Sequence, residues 1–320
     1  MKYDIYFHDD FDGRASAAVL LNFFARRGDT IQHYFPVEHG MDWAAKKLSA
    51  SSRRNPSIVV DFPYHPEAKF WFDHHQTTFL KEAWRRRFKA TKFQQLDPKA
   101  PSACGLIVKS LRKHFGYAPP PHIKELARWL DIYDSASYIS ARQAIENKEP
   151  ALKIGQFIDE AGGEDALIWL IELLSTMPLE AIANDPRIRK KTREIRKNNK
   201  KLLLFYREHL KIRNAVGFID LSGQKSELRF APYYLYPKIR YAVVLKKNTM
   251  NGFRLSVSAN PWPRKLNRIH LGEFLRARYG GGGHRDAGGA SFPAKQAAAS
   301  AAEEVIGFLN LGVNNLTQRI

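Results

Sequence analysis

The sequence predicts an α/β protein in two parts, an N-terminal domain on a mostly parallel sheet and a smaller C-terminal α/β domain, joined by a helical linker. Three observations carry that prediction. Short apolar runs alternate with helical stretches through the first half, the pattern of βαβ units. Several of those runs stop abruptly at acids and histidines. From Ala215 the texture turns to strands and ends in a run of glycines. The expected boundaries are 1–185 for the first domain, 186–213 for the linker and 214–320 for the second domain.

Taken in order, Tyr3–Phe7 reads as a strand and Ala15–Ala25 as a mostly apolar helix, with Gly13 at the turn between them. The intervening His8-x-Asp10-x-Asp12-Gly13 is expected to be an extended loop, in which residues two apart face the same side. Thr30–Phe35 gives a second strand, Asp42–Ala50 a helix, and Ile58–Val60 a strand running into Asp61. Lys69–Phe72 is the next strand and delivers Asp73-His74-His75. In an open parallel sheet, ligands gather beyond the carboxyl ends of the strands, so these three polar clusters are expected to converge on one edge. Helices follow over Ser102–His114 and from Ile123 through Tyr133; the latter carries Asp131 and Asp134 three residues apart. Ala151–Leu174 is helical with a break at Gly162-Gly163. Pro186 opens a long basic helix reaching about Arg213, with Arg189, Arg193, Arg196 and Lys200 on a face distinct from its apolar stripe. That face is read as the solvated side of a linker rather than as a polyanion track. Strands over Ala215–Leu221, Ile239–Lys246 and Phe253–Ala259 precede a helix at Leu271–Arg278, the glycine run, and a last helix over Ala294–Leu309.

Composition narrows the function. With 44% apolar and 12% aromatic residues the 320-residue chain is globular. It shows no apolar run of membrane-spanning length and no signal-peptide pattern, so a soluble cytoplasmic protein is expected. The single cysteine, Cys104, excludes an internal disulfide and a thiolate-rich zinc site, and reads as a small buried hydrophobe. Fifty-one basic against 32 acidic residues give a net charge of +19, which favours a polyanionic partner such as nucleic acid or a phosphorylated small molecule.

Convergent carboxylates repel one another, and a bound cation is the natural compensation. Four or more carboxylates with one or two imidazoles and no thiol form a hard, oxygen-rich donor set, suited to manganese or magnesium. A pair of such ions would bring a water's pKa near neutrality and neutralise the attacking and leaving oxygens of an in-line phosphoryl displacement. The glycine run is the second constellation. Gly280-Gly281-Gly282-Gly283 removes every Cβ, so backbone N–H groups can approach phosphate oxygens, and His284 and Arg285 follow with further donors. Arg254, Ser256 and Ser258 alternate onto one face of the preceding strand, as a phosphate-holding set or an ordinary polar sheet face.

These residues resemble the DHH phosphoesterases of the DHHA1 subgroup, which include RecJ exonucleases, nano-RNases and cyclic-dinucleotide phosphodiesterases. The resemblance runs over nearly the whole chain. His8-x-Asp10-x-Asp12-Gly13 is similar to the family's first motif, Val60-Asp61 to its second, Asp73-His74-His75 to its third and the Asp131 region to its fourth; Gly281-Gly282-Gly283-His284 resembles the DHHA1 signature. The resemblance implies two manganese ions, with magnesium as a substitute, held by His8, Asp10, Asp12, Asp61, His74 and one fourth-motif acid, with Asp61 bridging. Asp131 and Asp134 both offer themselves for the last place, and Asp131 is the expected one. His75 would face the scissile phosphate, Asp73 would support the histidines, and Gly281, Gly282, Gly283, His284 and Arg285 would bind substrate.

The expected activity is manganese-dependent hydrolysis of short oligonucleotides to mononucleotides. Cyclic-dinucleotide hydrolysis, cleavage of a 3′-phosphorylated nucleotide, pyrophosphate or polyphosphate hydrolysis, and non-catalytic nucleic-acid binding are the alternatives. Expected partners are short oligonucleotides or other phosphorylated nucleotides and no membrane, with a homodimer compatible with this reading.

Overall fold

The computed structural model describes residues 1–38, 42–48, 55–161, 167–248, 252–262 and 269–317. They divide into two units, residues 1–138 with 147–194 and residues 139–146 with 195–320. In chain order the elements are β1 Lys2–His8, α1 Phe11–Ala25, β2 Thr30–Val37, β3 Ser57–Val60, β4 Ala68–Asp73, α2 Glu82–Arg87, β5 Gln94–Leu96, α3 Ala103–Phe115 and α4 Pro121–Asp134. There follow α5 Ala141–Glu146, α6 Pro150–Ala161, α7 Ile168–Thr176, α8 Leu179–Ala183 and α9 Pro186–His209. The last are β6 Lys211–Arg213, β7 Val216–Asp220, α10 Ala231–Leu235, β8 Tyr241–Lys247, β9 Phe253–Ala259, α11 Leu271–Tyr279, β10 Gly282–Gly283, β11 Ala287–Phe292 and α12 Lys295–Thr317.

The first unit holds a five-stranded sheet in the order β2-β1-β3-β4-β5, with every pairing parallel. A parallel sheet must be covered on both faces, and the strand residues alternate accordingly. Tyr3, Ile5, Phe7, Ile58, Val60, Phe70 and Phe72 pack in one core with α1, α3 and α4. Tyr6, Val59 and Trp71 face the other way, into a smaller aromatic core with Trp43, Phe62 and Tyr64. Register then places the site. Phe7 lies opposite Val60, and Val60 opposite Phe72. The next residue of each strand, His8, Asp61 and Asp73, therefore stands in one row at the sheet's carboxyl edge.

Two local expectations change. The helix expected over 42–50 is absent from its described part: residues 42–48 form turns. Trp43 and Leu48 are buried there by tertiary contacts instead, with the Trp43 indole donating to the Pro63 carbonyl at 2.9 Å and the Leu48 N–H to Glu67 Oε2 at 2.8 Å. Likewise α1 begins at Phe11, not Ala15, because Asp10 caps it by accepting from the Gly13 N–H at 2.9 Å. Asp12 thus lies in the first helical turn and not in an extended loop. The break expected at Gly162-Gly163 lies outside the described residues.

The second unit is built on a six-stranded mixed sheet, β10-β11-β9-β8-β7-β6, in which β7 and β8 are parallel and the other pairings antiparallel. Val243, Leu245, Leu255 and Val257 pack with α11 and α12. On the opposite face Ile219 and Val244 pack with Ile145 of α5, Leu202 and Tyr206 of α9 and Ala231 before α10's tyrosines. The long basic helix expected over 186–213 is α9, whose residues to Glu194 belong to the first unit and those from Ile195 to the second.

The glycine run is partly strand: β10 pairs with β11 at the sheet edge. Gly283 has φ +140°, and a Cβ there would run into the Ala287 carbonyl and Gly288 Cα, whereas a Cβ on Gly282 would meet open space. Gly283→Ala is therefore expected to destabilise the protein by roughly 1–3 kcal/mol, while Gly282→Ala leaves the melting temperature nearly unchanged. Thermal melts of the two variants side by side check this, and equal melting points would remove the backbone argument.

Candidate active site

At the carboxyl edge of the parallel sheet, three strand ends and two helices bring acids and imidazoles together. His8 leaves β1 with Nδ1 2.8 Å from Asp10 Oδ2 and 3.7 Å from Asp61 Oδ2. Gly13 is required directly beneath, because a Cβ there would overlap the His8 backbone. Asp12, 2% exposed, points into the first turn of α3, accepting from the N–H groups of Ala103 at 2.6 Å and Cys104 at 3.0 Å. A helix N-terminus is a favourable seat for a buried carboxylate, since its first N–H groups lack partners within the helix. Cys104 is a buried free thiol, as the sequence suggests.

Asp61 occupies the centre. It is buried and holds a left-handed backbone, φ 54°, which a non-glycine residue adopts at some energetic cost. Its N–H still donates to the Phe72 carbonyl at 2.8 Å, so the turn is locked to β4. Asp61 Oδ1 lies 3.5 Å from His74 Nε2 and 3.7 Å from His75 Nδ1. His74 is oriented by its other nitrogen, Nδ1, which lies 3.1 Å from the Ala100 carbonyl and turns Nε2 towards Asp61, Asp12 at 3.8 Å and Asp134 at 3.4 Å. Donation from Nδ1 to a carbonyl fixes the tautomer whose Nε2 can bind a cation.

The triplet's remaining members act differently. Asp73 is fully buried and its carboxylate is spent on local donors: the His74 N–H at 2.7 Å, the His75 N–H at 3.2 Å, His75 Nδ1 at 2.8 Å and the Thr78 hydroxyl. It sets the turn rather than facing the cluster. His75 keeps about half of its side chain exposed, with Nδ1 on Asp73 and Nε2 left for other partners. Thr78, Ser102 and the Ala100 carbonyl carry no signal in the sequence, because each is separated from the residue it supports by a fold that spacing does not reveal. Arg14 was equally unmarked. Its buried guanidinium bonds Asp9, between His8 and Asp10, and lies 5.4 Å from the centre of the Phe7 ring.

Of the two fourth-motif acids, the structure brings Asp134 and not Asp131 to the cluster. Asp131 lies outside the cluster: its Oδ1 accepts from the Ser102 hydroxyl at 2.7 Å, and the carboxylate packs where a Cβ on Gly105 would otherwise lie. Asp134, three residues on at the end of α4, joins Asp12 and His74 instead. Both acids are on adjoining faces of one helix, and only the packing of α4 against α3 decides which reaches the sheet edge.

Two three-residue groups result, His8–Asp10–Asp61 and Asp12–His74–Asp134, in each of which the candidate donor atoms lie within 4.8 Å of one another. A third, Asp61–His74–His75, overlaps both. Each group is composed of residues that could hold a divalent cation. Asp61 Oδ1 and His74 Nε2 are buried without a hydrogen-bond partner among the described residues, an arrangement that a cation would satisfy. The electrostatics agree. Burial pulls the His8 pKa down, but the carboxylates of Asp10 and Asp61 outweigh it and raise it to about 10. His74 is raised to about 9 in the same way, burial being overcome by Asp61 and then Asp134. Burial and then Asp61 push Asp134 up to about 6, and burial with Asp61, Asp134 and Asp10 pushes Asp12 well up. The crowded carboxylates thus favour positive charge at this edge.

The residues of the glycine run lie in the second unit. Gly282, Gly283 and His284 line a cavity of about 580 Å³ together with Arg254, Ser256 and Ser258. Arg229 and Lys246 add positive charge to its wall, Lys246 being paired with Glu227. Gly281 and Arg285 are not among its lining residues; Gly281 is needed because a Cβ would meet the Gly289 carbonyl. The polar alternation on β9 therefore belongs to a cavity wall.

Raised histidine pKa values stabilise the folded state fully below the unfolded value of about 6.5, and that contribution is lost as pH climbs through about 9 to 10. Raised carboxyl values act in the same sense at lower pH. In chelator, the melting temperature is therefore expected to fall as pH is taken from 6.5 to 10. Added manganese should raise it, and by more at pH 8.5 than at 6.5, because fewer protons must leave the ligands. A pH-independent melting point in chelator would show that the histidines are not charged by their acids.

No protein-family model matches the sequence, and no curated protein matches it. Among solved structures, the chain is similar to PggH, a pGpG-specific phosphodiesterase from Vibrio cholerae, at 21% identity and a TM-score of 0.74, over 97% of this chain and 99% of that one. Weaker overlaps are with an exopolyphosphatase-related protein from Bacteroides fragilis, at 14% identity over 95% and 91% of the two chains with a TM-score of 0.49, and with exonuclease RecJ bound to manganese, at 16% identity over 95% and 88% with a TM-score of 0.48. Over nearly its whole length the chain shares the two-part α/β fold of that phosphodiesterase.

Proposed function

We propose that the protein is a metal-dependent phosphodiesterase that hydrolyses short oligonucleotides, dinucleotides included, to mononucleotides. The observation that carries the proposal is the pair of adjacent donor groups, His8–Asp10–Asp61 and Asp12–His74–Asp134. Likeness in fold to a pGpG-specific phosphodiesterase supports a substrate at the short end of the range. The net charge of +19 and the basic cavity beside the glycine run support a phosphate-bearing ligand.

In this reading the residues of these two groups, Asp61 among them, would hold the ions, and manganese is favoured by the oxygen-rich donors and by the absence of any thiolate. Two divalent ions held there would supply Lewis acidity for the phosphorus–oxygen exchange. The chain's own groups do the rest. Asp73 holds the Nδ1 side of His75, and that bond, ahead of the opposing effect of burial, raises the imidazole's pKa. A protonated His75 presents Nε2–H to a phosphate or leaving oxygen. Asp12 is kept from rotating by two α3 N–H groups, and His74 by the Ala100 carbonyl, so the donors are fixed before substrate arrives. Gly282, with open space over its Cα, lets a phosphate approach its backbone, and His284 and Arg254 supply donors there.

Asp134→Asn is expected to lower kcat on a dinucleotide by more than roughly a hundredfold, whereas Asp131→Asn costs less than about tenfold, the smaller loss typical of supporting groups. The reverse ranking would return the ligand role to Asp131. His284→Ala should raise KM with manganese binding unchanged, read by calorimetry; loss of metal would contradict that division of labour. A ladder of 5′-phosphorylated oligonucleotides from two to about twenty residues, with cyclic dinucleotides, 3′,5′-bisphosphate nucleoside and polyphosphate alongside, tests the substrate. Manganese-dependent mononucleotide release, fastest on the shortest members, is expected. Turnover of only the other compounds would replace the substrate, and binding without turnover would replace the activity.

A further inference from the structure

We propose that the second unit carries an additional nucleotide subsite in a cavity of about 510 Å³ lined by Arg142 of α5, Arg207 of α9, Tyr233 and Tyr234 of α10, Asn260 and Trp262. It deepens the oligonucleotide reading above, naming a single strand longer than one nucleotide as the ligand.

The chemistry of the lining selects that ligand. Its charged side chains are two arginines and no acid, so it favours an anion. Arg142 has one acid neighbour, Glu146, at 3.4 Å, in a pair whose arginine is 76% exposed. Such an exposed pair costs little to reorganise. Each guanidinium offers a planar fork suited to phosphate. The same lining carries aromatic side chains, Tyr233, Tyr234 and Trp262. Trp262 packs edge-on against Phe230, with ring centres 5.4 Å apart and planes at 68°, so its indole is held by the protein. The loop carrying it is fixed by Asn260, whose amide donates to the Ile239 carbonyl at 2.9 Å and whose side-chain oxygen accepts from the Trp262 N–H at 3.2 Å. A rigid aromatic face beside two guanidinium forks is the arrangement on which a nucleobase stacks while its phosphates are held.

The cavity also shares a wall with the glycine-loop cavity. Tyr233 lines the first, and its hydroxyl lies 2.7 Å from the Ser258 hydroxyl and 2.9 Å from the Ser258 carbonyl; Ser258 lines the second. A chain of two or more nucleotides can therefore place one phosphate by the glycine run and a neighbouring base by Trp262. The subsite gives the protein a length preference that the glycine loop alone would not.

The test is equilibrium binding of 5′-phosphorylated mono-, di- and tetranucleotides in chelator, where no turnover occurs, to the wild-type chain and to Arg207→Ala and Trp262→Ala. Wild-type affinity is expected to rise with length. Both variants should lose roughly five- to a hundredfold on the tetranucleotide, the range for one stacked base, and less than about twofold on the mononucleotide. Arg207→Ala alters an exposed side chain, so it reads the subsite even where Trp262→Ala folds poorly, and Arg207→Lys should recover part of the loss. Unchanged tetranucleotide affinity in Arg207→Ala, or an equal loss at every length, overturns the subsite. Length-dependent binding that these variants abolish, in a protein that turns over none of the oligonucleotides, would uphold the subsite while refuting the hydrolytic reading.

Discussion

Crowding of negative charge at one sheet edge is the constraint on which the rest of the first unit depends. Asp10, Asp12, Asp61 and Asp134 surround two imidazoles, and two of the acids, Asp12 and Asp61, are buried. Without a counter-charge the arrangement is unfavourable, which is why His8 and His74 are driven to hold protons and Asp12 and Asp134 are driven to accept them. Local structure absorbs part of the strain. Asp12 sits at the N-terminus of α3, Asp10 doubles as the cap of α1, and Asp61 holds a backbone that few non-glycine residues adopt. Each of these devices fixes a carboxylate in place, and a fixed ring of donors is what a divalent cation needs.

A second tier of contacts holds those donors. The three consecutive residues Asp73-His74-His75 do three different jobs: Asp73 gathers four local donors, His74 turns into the cluster, and His75 stays half exposed. Were Asp73 removed, both histidines would lose the turn that separates their directions. The Arg14–Asp9 pair performs a similar service for the loop between β1 and α1, and burial lowers the Arg14 pKa to about 10.

The second unit combines tight packing and an open cavity wall within a few residues. In the glycine run, Gly281 and Gly283 are small because backbone passes close by, while Gly282 faces open space in a cavity wall. Arg254, Ser256 and Ser258 reach the same cavity from β9, and through Tyr233 this wall continues to the arginine–tryptophan cavity. Positive charge recurs at both places, consistent with the chain's overall balance.

The sequence by itself determined the α/β class, the convergence of β1, β3 and β4 on one edge, and the identities of His8, Asp10, Asp12, Asp61 and His74 as members of the cluster. These were legible because strand ends are marked by an abrupt change from apolar to acidic residues, and because a parallel sheet sends every carboxyl end the same way. It also marked β9 and the glycine run, through alternation and composition. Tertiary structure alone decided the rest. Whether Asp131 or Asp134 reaches the cluster depends on the rotation of α4 against α3, which a spacing of three residues leaves open. The turn at 42–48 replaced an expected helix because burial of Trp43 and Leu48 outweighed local propensity. Thr78, Ser102, Ala100 and Arg14 act through contacts that no periodicity encodes, and the cavity of Arg142, Arg207 and Trp262 joins segments more than a hundred residues apart. Periodicity reports which way a residue points along its own element, whereas a site is made by the packing of elements on one another.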